Sequence, residues 1–379
     1  MGRNLVMAIY SHPEYYPPTL NAIDQLAPHY DSIYVLHRNV FGFDWVYPEN
    51  VFLVGPKELH SAREVEKAGY FKKLGWFLAF CLSFLKLVRK QKAHTILLYD
   101  CIPVLAYRLT RFFFDRPKVL WYHNHDVADK NYIKKFSIYW FSWKSEKWIF
   151  PLLNIFSLPS IERKVFFPLD RLMGKFVFIP NYPSIERYSQ DFRKPTEEIR
   201  ILYQGSIGPF HGLEQLIPLL KNKYNDLPVR LVLKGFVSEA YLAELKRIAA
   251  LHEVQNSVEY LLPTGYSEVI SNAQNCHIGI GIFMKQDIMN KTLGTASNKI
   301  YEYAAAGLPV LIYDIEHFRR SLGKLKWISF TDSTQLSLDK CIRHIIENYS
   351  ELSVCARNDV ECQYNFEIYF KDIFPTLKD

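Results

Sequence analysis

The feature that most constrains this chain is residues 297–312, where a short helix, a tight stop and a buried strand follow one another. Ser297 is a suitable N-cap, because its hydroxyl can accept a hydrogen bond from the first helical turn. Ile300 and Tyr303 are three residues apart and predict one core-facing side of that helix. Gly307 suits the position just past a helix end. The apolar run that follows predicts a parallel strand covered on both faces.

Two charged residues on this helix suggest a chemistry. Amides at a helix N-terminus attract phosphate, and Lys299 adds a full positive charge there. Glu302 lies one turn deeper and can accept hydrogen bonds from two hydroxyls, as a ribose diol offers. This arrangement fits a nucleoside diphosphate. A solvated Lys–Glu pair remains the alternative for such a spacing taken alone.

Residues 295–303, followed by residues 306–310, resemble the nucleotide-sugar signature of GT-B glycosyltransferases, and more narrowly of their retaining, family-4-like branch. The resemblance implies an α/β fold of two Rossmann-like, doubly wound domains facing a central cleft. It also implies that Glu302 binds the donor ribose. The commoner family form has a second Glu eight residues upstream, where this chain has Gly294. The donor-binding residues that the motif implies are Ser297, Asn298, Lys299 and Glu302.

Strand and helix patterns alternate along the chain, which predicts parallel sheets with helices on both faces. The run Ile-Pro-Asn before Tyr182 resembles the element that closes the first domain in this family. The polar segment after it reads as a linker. The predicted organisation is an acceptor-binding domain at 1–183, a linker at 184–198, a nucleotide-sugar domain at 199–350 and a C-terminal helix crossing back to the first domain at 351–379.

The second domain opens with a strand and a glycine-rich turn, with a helix expected near Leu213, which together indicate a phosphate-approach loop. Gly205 begins this turn. In the fuller family form an Arg and a Lys clamp the diphosphate, and here Ser206 and His211 occupy those places. Either His211 acts as a pH-sensitive cation or Lys299 carries most of the charge. Lys234 follows the next strand and is also assigned to the donor, although a solvated lysine is the simpler interpretation.

A second constellation follows a buried strand at residues 118–122. His123 and His125 alternate, so both imidazoles could face the ligand crevice. His125 and Asp126 resemble the His-(Asp/Glu) element that lines the cleft beside the reacting sugar in these enzymes, and we expect them to be catalytic. A structural histidine is the ordinary alternative. No third ligand occurs at a telling spacing, so no metal site is predicted.

Charge and aromatic residues are concentrated in the first half. Residues 1–195 hold 27 Lys and Arg against 17 Asp and Glu, whereas residues 196–379 hold 19 against 22. A basic, aromatic helix at 71–92 is too short an apolar run to span a bilayer but can lie on an anionic membrane surface; a core helix is the alternative. No nucleic-acid-binding pattern occurs. The six cysteines form no C-x-x-C pair, and no secretion signal is evident, which predicts a cytoplasmic protein, peripheral on the inner face of the membrane.

The predicted reaction is sugar transfer, with retention, from a nucleotide sugar (a UDP-sugar is expected) to a lipid-linked or growing surface polysaccharide. The enzyme would be of the hexosyltransferase type. No Asp-x-Asp occurs, so no metal and no other cofactor is expected. Two alternatives stay open: a GT-B-fold nucleotide-sugar epimerase or hydrolase, and a non-catalytic glycan- or nucleotide-binding partner.

Overall fold

The computed structural model describes residues 3–189, 194–285 and 287–378. The chain divides into two compact units. The first consists of Met1–Asn181 together with Phe366–Asp379, and the second of Tyr182–Asn365. Each unit is built around one parallel sheet with helical connections, so the predicted α/β class with two doubly wound domains is confirmed.

The first unit contains a seven-stranded parallel sheet in the order β3-β2-β1-β4-β5-β6-β7. The strand order reverses between β1 and β4, and ligands of doubly wound sheets bind outside the carboxyl ends of strands at such a point. Four consecutive residues of β1, Leu5 to Ala8, are fully buried, as expected for a strand covered on both faces. The strands are β1 (Asn4–Ile9), β2 (Ser32–Leu36), β3 (Val51–Val54), β4 (Thr95–Tyr99), β5 (Val119–His123), β6 (Ile155–Leu158) and β7 (Lys175–Phe178).

The second unit has a sheet in the order β11-β10-β8-β12-β13-β14, with β9 pairing antiparallel to the start of β10. The central strand β8 lies between β10 and β12, and its carboxyl end carries part of the predicted donor site. The strands are β8 (Ile199–Ile207), β9 (Lys223–Tyr224), β10 (Leu227–Val237), β11 (Val258–Leu261), β12 (Ile278–Gly281), β13 (Val310–Tyr313) and β14 (Ile328–Thr331).

Helices cover both sheets. They are α1 (Pro17–Leu26), α2 (Ala62–Lys67), α3 (Tyr70–Gln91), α4 (Cys101–Thr110), α5 (Ile138–Glu146), α6 (Leu213–Leu216), α7 (Glu239–Leu251), α8 (Tyr266–Gln274), α9 (Ile288–Lys291), α10 (Asn298–Ala305), α11 (Glu316–Leu322), α12 (Gln335–Glu347), α13 (Tyr349–Cys362), α14 (Phe366–Phe370) and α15 (Phe374–Lys378).

Helix α3 is the basic, aromatic segment for which the sequence left two interpretations. Phe77 and Phe84 lie on its buried face, as a core helix requires. Phe71, Leu78 and Leu82 lie on its exposed face, and Phe71 keeps 84% of its surface accessible. The core interpretation therefore holds for one face only. Among the described residues, no helix is long and apolar enough to cross a membrane.

The returning segment differs in detail from the predicted helix at 351–379. Helix α13 belongs to the second unit, and the segment that joins the first unit begins at Phe366 with α14. The predicted linker, 184–198, includes a 3-10 turn at Ile185–Arg187, and its residues 190–193 lie outside the described residues.

Candidate active site

Helix α10 has the caps that its sequence predicts. The Ser297 hydroxyl accepts a hydrogen bond from the amide of Ile300 at 3.4 Å, and the helix begins at Asn298. At the other end Gly307 has φ of 75°, and its amide donates to the carbonyl of Ala304 at 2.9 Å. A left-handed glycine here ends the helix and turns the chain into β13.

Glu302 is a buried acid with one oxygen paired and one unpaired. Glu302 is 5% exposed, and its Oε2 accepts a hydrogen bond from the side-chain amide of Gln204 at 2.9 Å. Its Oε1 is buried without a hydrogen bond of normal geometry to any described residue. Burial raises the pKa of this carboxyl to about 7, and the nearby Tyr266 hydroxyl, Gln204 amide and Lys299 ammonium only partly oppose that. Oε1 can therefore accept a hydrogen bond from a ligand hydroxyl.

Lys299 is a cation surrounded by aromatic rings. Its Nζ donates to the Tyr203 hydroxyl at 3.1 Å and lies 4.2 Å from the Tyr203 ring centroid and 5.0 Å from that of Phe283. Among the described residues it has no carboxylate within ion-pair distance. Burial lowers the pKa of its ammonium to about 7, and Glu302 partly opposes the shift. An anionic ligand would supply the missing counter-charge.

Gly205 and Ser206 lie in β8 rather than in a turn, because the strand continues to Ile207. Gly205 has φ of 120°, and a Cβ there would stand 3.4 Å from the Lys299 Nζ. Its lack of a side chain keeps the space beside the ammonium open. Ser206 is exposed, and its carbonyl accepts from the Tyr203 hydroxyl at 2.7 Å. The glycine-rich turn follows, at 208–212.

His211 does not supply a positive charge. Its Nδ1 lies 2.9 Å from the carbonyl of Ile282, so Nδ1 carries the proton that it donates. The pKa of the imidazole is lowered to about 4, chiefly by burial; the hydrogen bond to Ile282 opposes this shift, and the neighbouring Lys299 adds to it. The cation alternative for His211 is therefore wrong for the free protein, and Lys299 is the charged group of this cluster.

Lys234 and Asn298 differ from their expected surroundings. Lys234 is not solvated: it is 2% exposed, and its Nζ lies 3.1 Å from Glu268 Oε1. Its register partner across the sheet is Gln204, but its charge is already paired. Asn298 stands at the first position of α10, and its buried Oδ1 has no hydrogen-bond partner among the described residues.

The structure thus brings Gly205, Ser206, His211 and Lys299 together around the ring of Tyr203, whose centroid lies 4.8 Å from that of His211. Glu302 joins them through Gln204, which follows Tyr203 in β8. Sequence reasoning missed both of these β8 residues. Their position at the carboxyl end of a predicted strand was the available signal.

In the first unit, His125 is held on every side. Its Nε2 lies 3.2 Å from the Thr19 hydroxyl, and its Nδ1 lies 3.3 Å from Asp100 Oδ2. Its ring stacks on Tyr99 at 4.7 Å and on Tyr16 at 4.8 Å between centroids. This packing fixes the orientation of an imidazole at the point where the strand order reverses.

Asp126 lies beside a cavity of about 170 Å³ that Asp100, Tyr139 and Tyr16 also line. Its side chain is exposed at the rim. Loss of hydration beside the crowded cavity wall raises the pKa of its carboxyl, and repulsion from the nearby Asp100 raises it as well. Asp100 was not predicted from the sequence. It has φ of 63°, unusual for a residue with a side chain, and its Oδ1 accepts from the amide of His125 at 2.8 Å.

His123 belongs to different surroundings from Asp126. Its Nδ1 lies 2.8 Å from the Ser157 hydroxyl, and burial lowers the pKa of its imidazole well below the usual value. It is a buried structural histidine. Among the described residues, no three His, Cys, Asp or Glu side chains group closely enough to hold a metal ion.

Solved structures share this architecture over nearly the whole chain. Sucrose-phosphate synthase from Thermosynechococcus elongatus aligns with a TM-score of 0.66 and 12% identity, over 99% of this chain and 98% of that one. HepE from Anabaena, solved in complex with UDP and glucose, aligns with a TM-score of 0.65 and 13% identity, over 99% of both chains. WaaG, a glycosyltransferase involved in lipopolysaccharide biosynthesis, aligns with a TM-score of 0.65 and 13% identity, over 97% and 98%.

The fold is therefore that of the GT-B glycosyltransferases. Residues 184–359 match the family model described as glycosyl transferases group 1, and they include α10 and the β8 residues around it. The chain is a glycosyltransferase, and it uses a nucleotide-sugar donor. No curated protein sequence matches the chain.

Proposed function

We propose that this protein transfers a hexosyl group from a UDP-sugar, with retention at the anomeric carbon, to a lipid-linked or growing surface polysaccharide. The observation that carries the proposal is the buried Oε1 of Glu302, which has no hydrogen-bond partner among the described residues. It lies one helical turn from the Lys299 ammonium, which has no carboxylate partner in the same part of the chain. The presence of UDP in the HepE complex supports the choice of base. The role of WaaG in lipopolysaccharide biosynthesis supports the class of acceptor.

The donor would bind by its two polar ends. The ribose hydroxyls donate to Glu302, whose Oε1 is free, while Gln204 keeps Oε2 in place. The diphosphate lies against Lys299 and the first amides of α10, where the helix dipole adds positive potential. Gly205 leaves room for this close approach. Ser206 and Asn298 supply further hydrogen bonds. The proton of the neutral His211 ring is donated to the Ile282 carbonyl, so its Nε2 can only accept, as from a sugar hydroxyl.

Charge stabilisation on the leaving group would be the main catalytic task. The bond between the anomeric carbon and the diphosphate oxygen breaks, the oxygen of the acceptor hydroxyl forms the new bond on the same face of the sugar, and the hydroxyl proton passes to the departing diphosphate. Lys299 stabilises the negative charge that develops on the diphosphate. No metal is expected in this role. His125 and Asp126, fixed by Asp100, are proposed to position the reacting sugar and the acceptor hydroxyl.

Membrane contact would bring the enzyme to a lipid-linked acceptor. Phe71, Leu78 and Leu82 are exposed on α3, and Lys86 and Lys90 are exposed on the same helix. Exposed aromatic and leucine side chains flanked by lysines suit the interface of an anionic bilayer. We propose a peripheral location on the inner face of the cell membrane.

The test is release of UDP from a panel of UDP-sugars, with and without glycan acceptors. A transferase releases UDP in proportion to added acceptor, and NMR of the product reads the anomeric configuration. Equal release without acceptor would indicate a hydrolase and overturn the proposal. Glu244→Ala is the matched control for Glu302→Ala, because Glu244 is an exposed acid of the same unit whose partner, Arg247, is also exposed.

A further inference from the structure

A second cavity of the first unit lies under α3, at the carboxyl ends of β1 and β2. It measures about 40 Å³. This is room for a few water-sized groups, and so for one compact polyatomic ion but not for a nucleotide or a sugar ring. The lining residues used below are Tyr10, His37, Arg38, Asn39, Trp76 and Phe80.

Arg38 places a positive charge without an ion-pair partner in this cavity. Its guanidinium lies 5.1 Å from the Tyr10 ring centroid, and its buried Nε has no hydrogen-bond partner among the described residues. Glu66 attracts it from beyond ion-pair distance, and no carboxylate lines the cavity within the described part of the chain. An arginine remains charged when buried, so a counter-ion in contact with it would be stabilising.

Asn39 adds a buried donor beside that charge. The residue is 3% exposed, and its Nδ2 has no hydrogen-bond partner among the described residues. A buried donor without a partner is destabilising, and a bound acceptor would remove that cost. His37 does not offer Asn39 an acceptor at its Nδ1, because this nitrogen is hydrogen-bonded to the Arg38 carbonyl at 2.7 Å. The Nε2 side of the ring lies against Gly55.

Aromatic side chains form the rest of the wall. Trp76 and Phe80 come from the inner side of α3, and the Lys72 ammonium lies 5.1 Å from the Trp76 ring centroid at the outer side. Apolar walls strengthen the attraction between an arginine and an anion, because little water competes. The cavity therefore combines a guanidinium and an amide donor in surroundings of low polarity.

We propose that this cavity binds a phosphate group, either the phosphate of a lipid headgroup or that of a phosphorylated acceptor. The proposal rests on the proposed function, because it assigns the first unit to acceptor and membrane. A phosphate can accept hydrogen bonds from the Arg38 guanidinium and the Asn39 amide together, and it also carries the negative charge that balances Arg38. A hydroxyl group or a single water molecule carries no such charge. The exposed apolar side of α3 lies on the helix whose inner side closes the cavity.

The test uses the whole protein with saturating UDP present, so that added phosphate does not report on the donor site. Inorganic phosphate and glycerol phosphate are titrated in one arm by calorimetry. Vesicles of phosphatidylglycerol in phosphatidylcholine are titrated in the other. Each arm is run on the parent protein and on Arg38→Lys, Arg38→Met and Asn39→Asp.

We expect saturable binding in at least one arm. Arg38→Met and Asn39→Asp should weaken it by about tenfold or more, and Arg38→Lys should retain part of it. Binding in solution identifies a free phosphate or phosphorylated acceptor, and binding only to vesicles identifies a headgroup. Equal binding by parent and variants in both arms, or none by the parent, overturns the proposal.

Stabilisation by UDP, measured on the same samples, reports on the second unit. It separates failure of this proposal from failure of the proposed function, because a parent that does not respond to UDP contradicts the latter alone. A variant that keeps the UDP response is folded, so its loss of phosphate binding is a local effect.

Discussion

At the scale of single residues, the site depends on two groups that burial has brought to similar pKa values. Glu302 is raised to about 7 and Lys299 is lowered to about 7, in both cases chiefly by burial. Neither shift stabilises the empty protein, because each reflects the cost of a charge removed from water. A bound diphosphate would give Lys299 an anionic partner, and a ribose diol would give Glu302 hydrogen-bond donors.

Lys299 makes UDP binding depend on pH in a defined direction. Above pH 7 the free protein has largely lost the Lys299 proton, whereas bound diphosphate raises the pKa and restores it. Binding therefore takes up a proton, and the Kd should rise with pH by at most about tenfold per unit. Glu302 is largely ionised in this range and does not oppose the trend.

Calorimetry of UDP binding above pH 7, in buffers of different ionisation enthalpy, measures both the affinity and the proton uptake. Lys299→Met should bind more weakly and lose the slope, and Lys299→Arg should keep binding without the slope, since arginine does not titrate there. A parent-like slope in Lys299→Met would assign the effect to another group.

The residues that the sequence predicted correctly are those with local signatures. The Ser297 cap and the Gly307 stop depend on neighbours a few positions away. The role of Asp100 depends on the amides of His125 and Asp126, which follow β5 and are 25 and 26 positions away, so no local pattern predicts it. Of the two alternatives for the cation, His211 fails because burial keeps its imidazole neutral although the hydrogen bond to Ile282 opposes the shift, and burial at this position is not visible in the sequence.

At the scale of elements, Arg357 of α13 joins the end of α10 to the start of the second unit. Its guanidinium donates to the carbonyl of Ala305 at 2.6 Å and to that of Tyr188 at 3.2 Å, and pairs with Glu361. A cation at the carboxyl end of a helix also complements the helix dipole. No local pattern indicates these hydrogen bonds of Arg357, because their acceptors are 52 and 169 positions away.

Arg357→Met should destabilise the second unit by about 2–4 kcal/mol, because two buried carbonyls lose their donor. Thermal unfolding followed by calorimetry measures the change. Arg320→Met is the matched control: Arg320 pairs with Glu316 on the surface of α11, and its loss should cost less than about 1 kcal/mol. Equal effects of the two variants would contradict the structural role of Arg357.

Gly279 of β12 is required by the Tyr303 side chain. A Cβ at this glycine would lie 2.3 Å from Tyr303 Cδ2. The Tyr303 hydroxyl accepts a hydrogen bond from the backbone amide of Gln204, whose side chain holds Glu302. A shift of the Tyr303 ring would therefore displace Gln204 and, with it, Glu302. The space beside this glycine is filled by a side chain and not by a second backbone segment.

Gly279→Ala should therefore cost about 1–3 kcal/mol of stability and weaken UDP binding as well. Unfolding and UDP titration are measured on the same sample. Gly75→Ala in α3, where a Cβ meets nothing within 4 Å, should be neutral or slightly stabilising. A Gly279→Ala variant as stable as the parent would show that the Tyr303 ring can move freely.

At the scale of the whole molecule, the sequence was most informative about fold class, because strand and helix periodicities recur along the whole chain. It was least informative about segment boundaries. The switch from the second unit back to the first falls between α13 and α14, two helical segments with no strong break in composition between them. Only the packing of each segment distinguishes them.

The same scale carries the membrane prediction. The protein should sediment with phosphatidylglycerol vesicles at low salt and less at high salt, since the contact is partly electrostatic. Replacing Phe71, Leu78 and Leu82 with serine should reduce binding at every salt concentration, because these exposed side chains supply the apolar part. Equal sedimentation of the variant and the parent would place the contact elsewhere.

The most direct test of the central claim is the shift in melting temperature that UDP produces in the parent protein and in Glu302→Ala, with Glu244→Ala, which removes an exposed acid, as control. We predict a clear stabilisation of the parent and of the control, and its loss in Glu302→Ala. If Glu302→Ala responds to UDP as strongly as the parent, the buried acid of α10 does not hold the donor ribose.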